Sequence, residues 1–206
     1  MYIPEFNRVE DTAAALAFMR ANPFAILVSS ADEGPFGTHL PVVIAETAGK
    51  LMLRAHVAKA NSHWKALEQQ ESLVIFHGPH AYISPSLYEI RESVPTWNYA
   101  TVHAYGHGRI LPSDTDKHQV LAELIAQFDA SYLEQWNSFD DQYRGRMLNH
   151  IVAFEIPLTR VEAKFKLSQN RTKIEQENVI QALAASTHSA VSGVAELMRR
   201  LGLGAK

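Results

Sequence analysis

The chain has no cysteine. That excludes disulfide staples, a thiolate nucleophile and Cys-ligated zinc or iron–sulfur centres. It also lacks an excess of positive charge: 19 Lys and Arg stand against 22 Asp and Glu, a formal net charge of −3. A free-standing nucleic-acid binder carries a basic footprint, so DNA contact here needs a local patch or a partner. No stretch approaches the ~20 apolar residues of a membrane-spanning helix. Met1-Tyr2-Ile3-Pro4-Glu5-Phe6 offers neither a basic n-region nor an apolar h-region, so a soluble, cytoplasmic protein is expected. Without a secretory signal the sequon Asn170-Arg171-Thr172 reads as coincidence. No Gly-rich fingerprint follows a strand, which argues against a dinucleotide fold. No His-Glu-x-x-His helix or acidic cluster completes a metal site among the 10 histidines, so no metal centre is expected. Ser84 and Ser86 sit beside Pro85 with no elbow motif, and no catalytic triad is read from them.

What is present is a globular composition, 47% hydrophobic over 206 residues, enough for one sizeable core or one domain with an appendage. Asp11 or Thr12 can cap a helix to about Arg20, which Asn22-Pro23 ends because the residue before proline resists the helical region. Short β-rich runs follow at Phe24 to Ser29, Thr38 to Ala45, Lys50 to His56 and Ser72 to His77. They are separated by Asp32-Glu33-Gly34-Pro35, by Thr47-Ala48-Gly49 and by a helical piece from Ala58 to about Glu68. Gly78-Pro79 is expected to turn the chain. From Thr101 to Leu111, apolar and small residues alternate with His103, Tyr105, His107 and Arg109, the pattern of a two-faced strand. Ser113 and Asp116 open a helix whose Val120, Leu121, Leu124, Ile125 and Phe128 form one stripe. A short helix from Asp140 to Leu148, a closing strand from His150 to Pro157, and a helical hairpin after Asn170 complete the reading. Tight turns between short strands and the absence of a βαβ rhythm predict an α+β protein built on an antiparallel barrel with peripheral helices. The expected division is a barrel domain over 1–170 and a helical appendage over 171–206.

Two segments use polar and aromatic residues where a core would use Val, Ile and Leu: Val94 to Tyr99 with Thr101-Val102-His103, and Phe165 to Asn170. Trp97, Tyr99 and Tyr82 can stack on a planar ring system while Asn98, Gln169 and Asn170 satisfy its carbonyls and ring nitrogens. A third cluster, Leu53 to Trp64, places Arg54 and His56 on one strand face with Lys59 and Asn61 just beyond its end. Charge-assisted hydrogen bonds contribute roughly 1.5–3 kcal/mol each, so such a set can hold a phosphate. Taken singly, each of these residues is more often a solvated lysine, a core histidine or a core aromatic than a ligand contact. It is their interleaving that points to a ligand.

Taken together, Met1 to Pro4, Thr38-His39-Leu40-Pro41, His56 to Trp64, Gly78 to Ser86, Val94 to Tyr99 with Val102-His103, and Lys166 to Asn170 resemble the PaiB family of FMN-binding negative transcriptional regulators, across nearly the whole chain. The chain departs from the family's pattern at Leu87, where Ser-Pro-Ser is commonly followed by Trp. The resemblance implies a flavin-reductase-like split barrel of Greek-key type, a homodimer with FMN in a groove between the subunits, and a role in repressing transcription. With the residue reading it sets the expected FMN contacts as Thr38, His39, Pro41, Arg54, His56, Lys59, Asn61, Tyr82, Trp97, Asn98, Tyr99, Lys166, Gln169 and Asn170. Promoter DNA or a protein is the partner such a regulator needs. Yet no helix-turn-helix is visible, and Arg144 to Arg146 and Arg199-Arg200 are sparse beside the ~6–10 phosphate contacts of tight DNA binding. A small flavin oxidoreductase and a haem-binding relative with one axial histidine stand as alternatives on the same barrel.

Overall fold

Local signals set the first helix. Asp11 Oδ1 accepts from the Ala13 N–H at 2.8 Å and its carbonyl from Ala15, so α1 (Thr12–Ala21) starts capped and stops before Pro23. The computed structural model describes residues 1–31, 34–47 and 49–204. The expected turn residues Asp32, Glu33 and Ala48 lie outside the described residues. Ahead of α1 runs β1 (Arg8–Val9), and after it β2 (Phe24–Ala31), β3 (Gly34–Pro41), β4 (Val43–Thr47), β5 (Lys50–Ala58), β6 (Glu71–Ile83), β7 (Thr96–His107) and β8 (Arg109–Leu111). Then come α2 (Asp114–Phe128), α3 (Leu133–Ser138), α4 (Asp141–Leu148), β9 (Ile151–Lys166), α5 (Lys173–Ala184) and α6 (Ser189–Arg200). The strands hydrogen-bond in the order β3-β2-β6-β7-β9-β5-β4, with β1 and β8 also on β9. The registered pairs are antiparallel, Phe24 opposite Pro41 and Arg54 opposite Glu155 among them. The class is α+β, as the strand and helix patterns predict.

Several expectations are corrected. The run from Thr38 to Ala45 is two strands, because Pro41 offers no N–H and the Val42 N–H leaves the ladder for Pro23 O at 2.9 Å. The segment after β5 is a single 3₁₀ turn, Ser62–Lys65, and not a helix from Ala58 to Glu68. Asn61 caps it, and Ala66 to Gln69 continue only as hydrogen-bonded turns, Leu67 N–H to Trp64 O and Gln69 N–H to Ala66 O. Gly78-Pro79 does not turn the chain: β6 continues through it, since a proline's φ suits an extended strand wherever no donor is required. The strand expected at Thr101 starts at Thr96 and breaks at Gly108, whose N–H goes to Leu67 O at 2.8 Å. The closing strand runs on to Lys166. Phe128, expected on the buried stripe, is 53% exposed, while Val120 and Leu124 pack with Ala153 against Val43 and Leu111.

The chain divides into two compact units. One comprises Met1–Phe18, His77–Val102 and Glu162–Lys206, the other Met19–Phe76 and His103–Val161. The expected boundary at residue 170 coincides with neither unit's edge. In the first unit, Phe18 and Phe165 meet at 5.0 Å beside Ile83, Leu167, Val179, Ile180, Val194 and Met198, all buried. A capping box, Thr172 with Glu175, opens α5, and Glu175 Oε1 also accepts from the Glu89 N–H at 3.0 Å. Helix α6 lies against β6 where Gly193 faces Pro79. A Cβ on Gly193 would stand 3.0 Å from Pro79 Cβ.

In the second unit, Leu27, Leu40, Leu53, Val74, Phe154 and Ile156 enclose a void of about 10 Å³. That is at the lower limit for one water, so this core has no room for a planar ligand. Gly106 is required there by close approach. A Cβ at Gly106 would fall 2.2 Å from Pro157 O.

Candidate functional site

The loop leaving β5 in the second unit is set by short-range hydrogen bonds. The Asn61 N–H donates to Ala58 O at 2.8 Å, and the Trp64 indole N–H donates to Lys59 O at 3.2 Å. Asn61 Oδ1 accepts from the His63 backbone N–H at 3.0 Å, which leaves its NH₂ to donate to Thr38 Oγ1 at 3.2 Å. His63 Nδ1 lies 2.8 Å from that same hydroxyl, with Phe36 edge-on to the ring at 5.0 Å. Thr38, Asn61 and His63 thus form one polar set. Burial pushes the pKa values of His56 and His63 below the ordinary imidazole value, so both are neutral at pH 7. His56 Nδ1 and His63 Nε2 are buried without a hydrogen-bond partner among the described residues. Lys59 is exposed and enters no ion pair among the described residues.

Arg54 is a correction. Its Nη1 donates to Glu123 Oε1 at 2.6 Å and its Nε to Glu155 Oε2 at 3.4 Å, while Arg109 also pairs with Glu155. A guanidinium held by two carboxylates is a structural tie and is not offered to a phosphate. His39 is exposed and stacks on Phe24 at 6.3 Å, and Pro41 closes β3 opposite Phe24.

In the first unit, Tyr82 on β6 and Trp97 on β7 meet edge to face at 6.1 Å, 52% and 53% exposed. Such rings ordinarily bury 150–250 Å² each, so two of them left half in water form a surface for a planar partner. His80 flanks Trp97 at 6.2 Å, and Lys166 donates to Thr96 Oγ1 beside them. Asn98 is the second correction. It is fully buried, with its amide bonded to Ser168 Oγ at 3.0 Å and 3.2 Å, and it serves the fold. Gln169 is the third, since its side chain bonds the Leu167 N–H at 2.7 Å and the Phe165 carbonyl and so shapes its own turn. Tyr99 takes the Lys164 ammonium at 5.3 Å from its ring, and Asn170 is exposed.

Sequence reasoning missed His63 and Phe36 as members of these clusters. His63 stands in an Asn-x-His spacing that an Asx turn would have revealed. A further cavity, about 390 Å³ in the second unit, is lined by Asp114, His118, Asp141 and Arg144 among others, and none of the expected contacts lines it. Its charges are matched internally, Lys117 with Asp114 and Arg144 with Asp141.

In the second unit the exposed Lys59 ammonium is a donor of the kind a phosphate takes, and in the first unit the exposed Tyr82 and Trp97 rings are a platform of the kind a flavin ring takes, so the residue types present fit that group. Comparison with known proteins bears on the same point. A sequence profile described as "Putative FMN-binding domain" matches residues 1–160. "Protease synthase and sporulation protein PAI 2" of Bacillus subtilis is 35% identical over 205 residues, 96% of each chain. The flavocytochrome Anf3 of Azotobacter vinelandii shares the fold at TM-score 0.63 and 14% identity, over 80% of this chain and 72% of that one. The FAD and heme binding protein of Mycobacterium smegmatis does so at 0.60 and 13%, over 78% and 73%. With more than three quarters of its length inside the profile and more than nine tenths aligned to the Bacillus protein, this split-barrel chain belongs to the PaiB-type family of FMN-binding domains.

Proposed function

We propose that the chain binds FMN through two sets of side chains and works as a cytoplasmic homodimer that represses transcription in the manner of a PaiB-type regulator, with promoter DNA or a protein as its partner. Lys59, Thr38, Asn61 and His56 are assigned to the phosphate, and Trp97 and Tyr82 to the isoalloxazine ring, with His39, Pro41, Lys166 and Asn170 at the margins. Bound FMN supplies a redox-active tricycle and a phosphate dianion. The protein's own part is to stack on the first and donate to the second. The observation that carries this reading is the half-exposed pair Tyr82 and Trp97, an apolar surface that folding alone leaves in water. Lys59 takes the place of Arg54 as the phosphate's cation because Arg54 is neutralised by Glu123 and Glu155.

The test is calorimetric titration of the Lys59→Ala variant with FMN and with riboflavin. Loss of one charge-assisted contact, about 1.5–3 kcal/mol, weakens FMN roughly 10- to 150-fold and leaves riboflavin unchanged. An equal loss for both ligands overturns the phosphate assignment. Sedimentation that finds only single chains overturns the dimer, and equal affinity for promoter and random DNA at one stated salt concentration overturns operator recognition.

A further inference from the structure

Along β6 the buried positions are Ser72, Val74 and Phe76, then Ala81 and Ile83. The alternation slips phase between Phe76 and Ala81, the mark of an extra residue in the strand, at Gly78-Pro79. On a regular strand residues i and i+3 face opposite sides. Here the slip brings His77 and His80 to one side, with His77 Nε2 3.1 Å from His80 Nδ1 and the rings 4.9 Å apart. Bulges re-aim side chains in this way, most often beside functional sites.

The separation has a further meaning. Two imidazole nitrogens each about 2.0–2.1 Å from one ion are about 2.9 Å apart at a right angle and about 3.4 Å apart at the tetrahedral angle. On opposite sides of an ion they stand about 4 Å apart. The observed 3.1 Å is a cis bite, and it rules out this pair as the two axial ligands of a haem. We propose that His77 and His80 form a two-imidazole chelate for a divalent ion of the Cu(II), Ni(II) and Zn(II) class, with water in the remaining positions.

Without the ion, one facing nitrogen carries a proton. His80 Nδ1 also lies 3.4 Å from Gly78 O, which favours the proton there, donated to His77 Nε2. On binding, that proton passes through water to His80 Nε2, so both rings stay neutral and no net proton is released. Among the described residues no group of three or more His, Asp or Glu is placed to complete a closed site, so the coordination is open. The ion order follows ligand type: imidazole suits all three, and Cu(II) binds tightest. This reading is independent of the flavin assignment.

The experiment titrates the full flavin-free chain with copper sulfate and zinc chloride, following heat and tryptophan emission, since Trp97 lies 6.2 Å from His80. Electron paramagnetic resonance of the copper form is expected to show two imidazole nitrogens. Changing even a supporting partner of a metal typically costs 10–100-fold in affinity, so His77→Gln or His80→Gln is expected to lose about tenfold or more. His107→Gln, on exposed β7 surface, is expected to bind as the parent does. Melting temperatures near that of the parent confirm that the variants fold. A single-nitrogen copper spectrum in the parent, or undiminished affinity in His80→Gln, overturns the proposal.

Discussion

Ser168 is the residue at which backbone and side chain pull in opposite directions. Its φ is 62°, left-handed, and it is the non-glycine residue with positive φ among those described. Four contacts hold it there: its hydroxyl with the buried amide of Asn98 at 3.0 Å and 3.2 Å, and its carbonyl, which accepts from Gln176 Nε2 at 3.2 Å and from the Arg171 N–H at 3.0 Å. Ser168→Ala and Ser168→Gly both remove the hydroxyl and leave the Asn98 amide buried and unmatched, at a cost of about 1–3 kcal/mol. They differ in the backbone. Alanine keeps the left-handed penalty of roughly 1–2 kcal/mol. Glycine escapes it but adds about 0.4–1 kcal/mol of unfolded-chain freedom. The balance makes the glycine variant more stable than the alanine variant by about 0.5–1 kcal/mol, the reverse of the usual order in regular structure. Urea unfolding of the two proteins measures this directly. With m near 2 kcal/mol/M the midpoints separate by roughly 0.3–0.5 M, with equal slopes. An alanine variant equal to or more stable than the glycine one would refute the claim that Asn98 and Gln176 hold a strained turn.

Two other outcomes follow from packing and burial. Gly106→Ala places a carbon 2.2 Å from Pro157 O and 2.7 Å from Ile156 Cγ2, and backbone cannot yield as a side-chain tip does. The expected cost is about 1–3 kcal/mol, or about 2–4 °C of melting temperature per kcal/mol, and an unchanged melting curve would contradict the close approach. For His56 and His63 the folded pKa is depressed, so the unfolded chain binds protons that the folded chain refuses as the pH falls. Their contribution is present above about pH 6.5 and is lost as the pH drops toward the folded values, by up to ~1.4 kcal/mol per pH unit per histidine. Unfolding curves for His63→Gln at descending pH are expected to fall less steeply than the parent's, and parallel slopes would show that His63 titrates normally.

The starts of α1, α2 and α4 and the helical character of the last segment were legible because their signals are local. Asp11, Ser113, Asp140 and the Thr172–Glu175 box each act within four residues of the helix they start. The path of β6 was not, because a Gly-Pro pair is written alike whether it turns a chain or sits in a bulge, and only its neighbours in the sheet decide. The same distance in sequence hid the fate of the polar candidates. Arg54 meets Glu123 and Glu155, 69 and 101 residues away, and Asn98 meets Ser168, 70 residues away. A donor looks equally free in sequence whether a ligand or the fold later claims it. Asn61 bonds Thr38, 23 residues away, and the backbone of His63, two residues away, so only the second of these contacts is local.

Because no side chain separates Gly193 from Pro79, the last helix rests directly on the bulge of β6 and acts as a splint there. His80 follows Pro79 directly, and its ring lies 6.2 Å from the indole of Trp97. A tag or binding partner that lifts this helix would therefore loosen the aromatic surface from behind, without touching it.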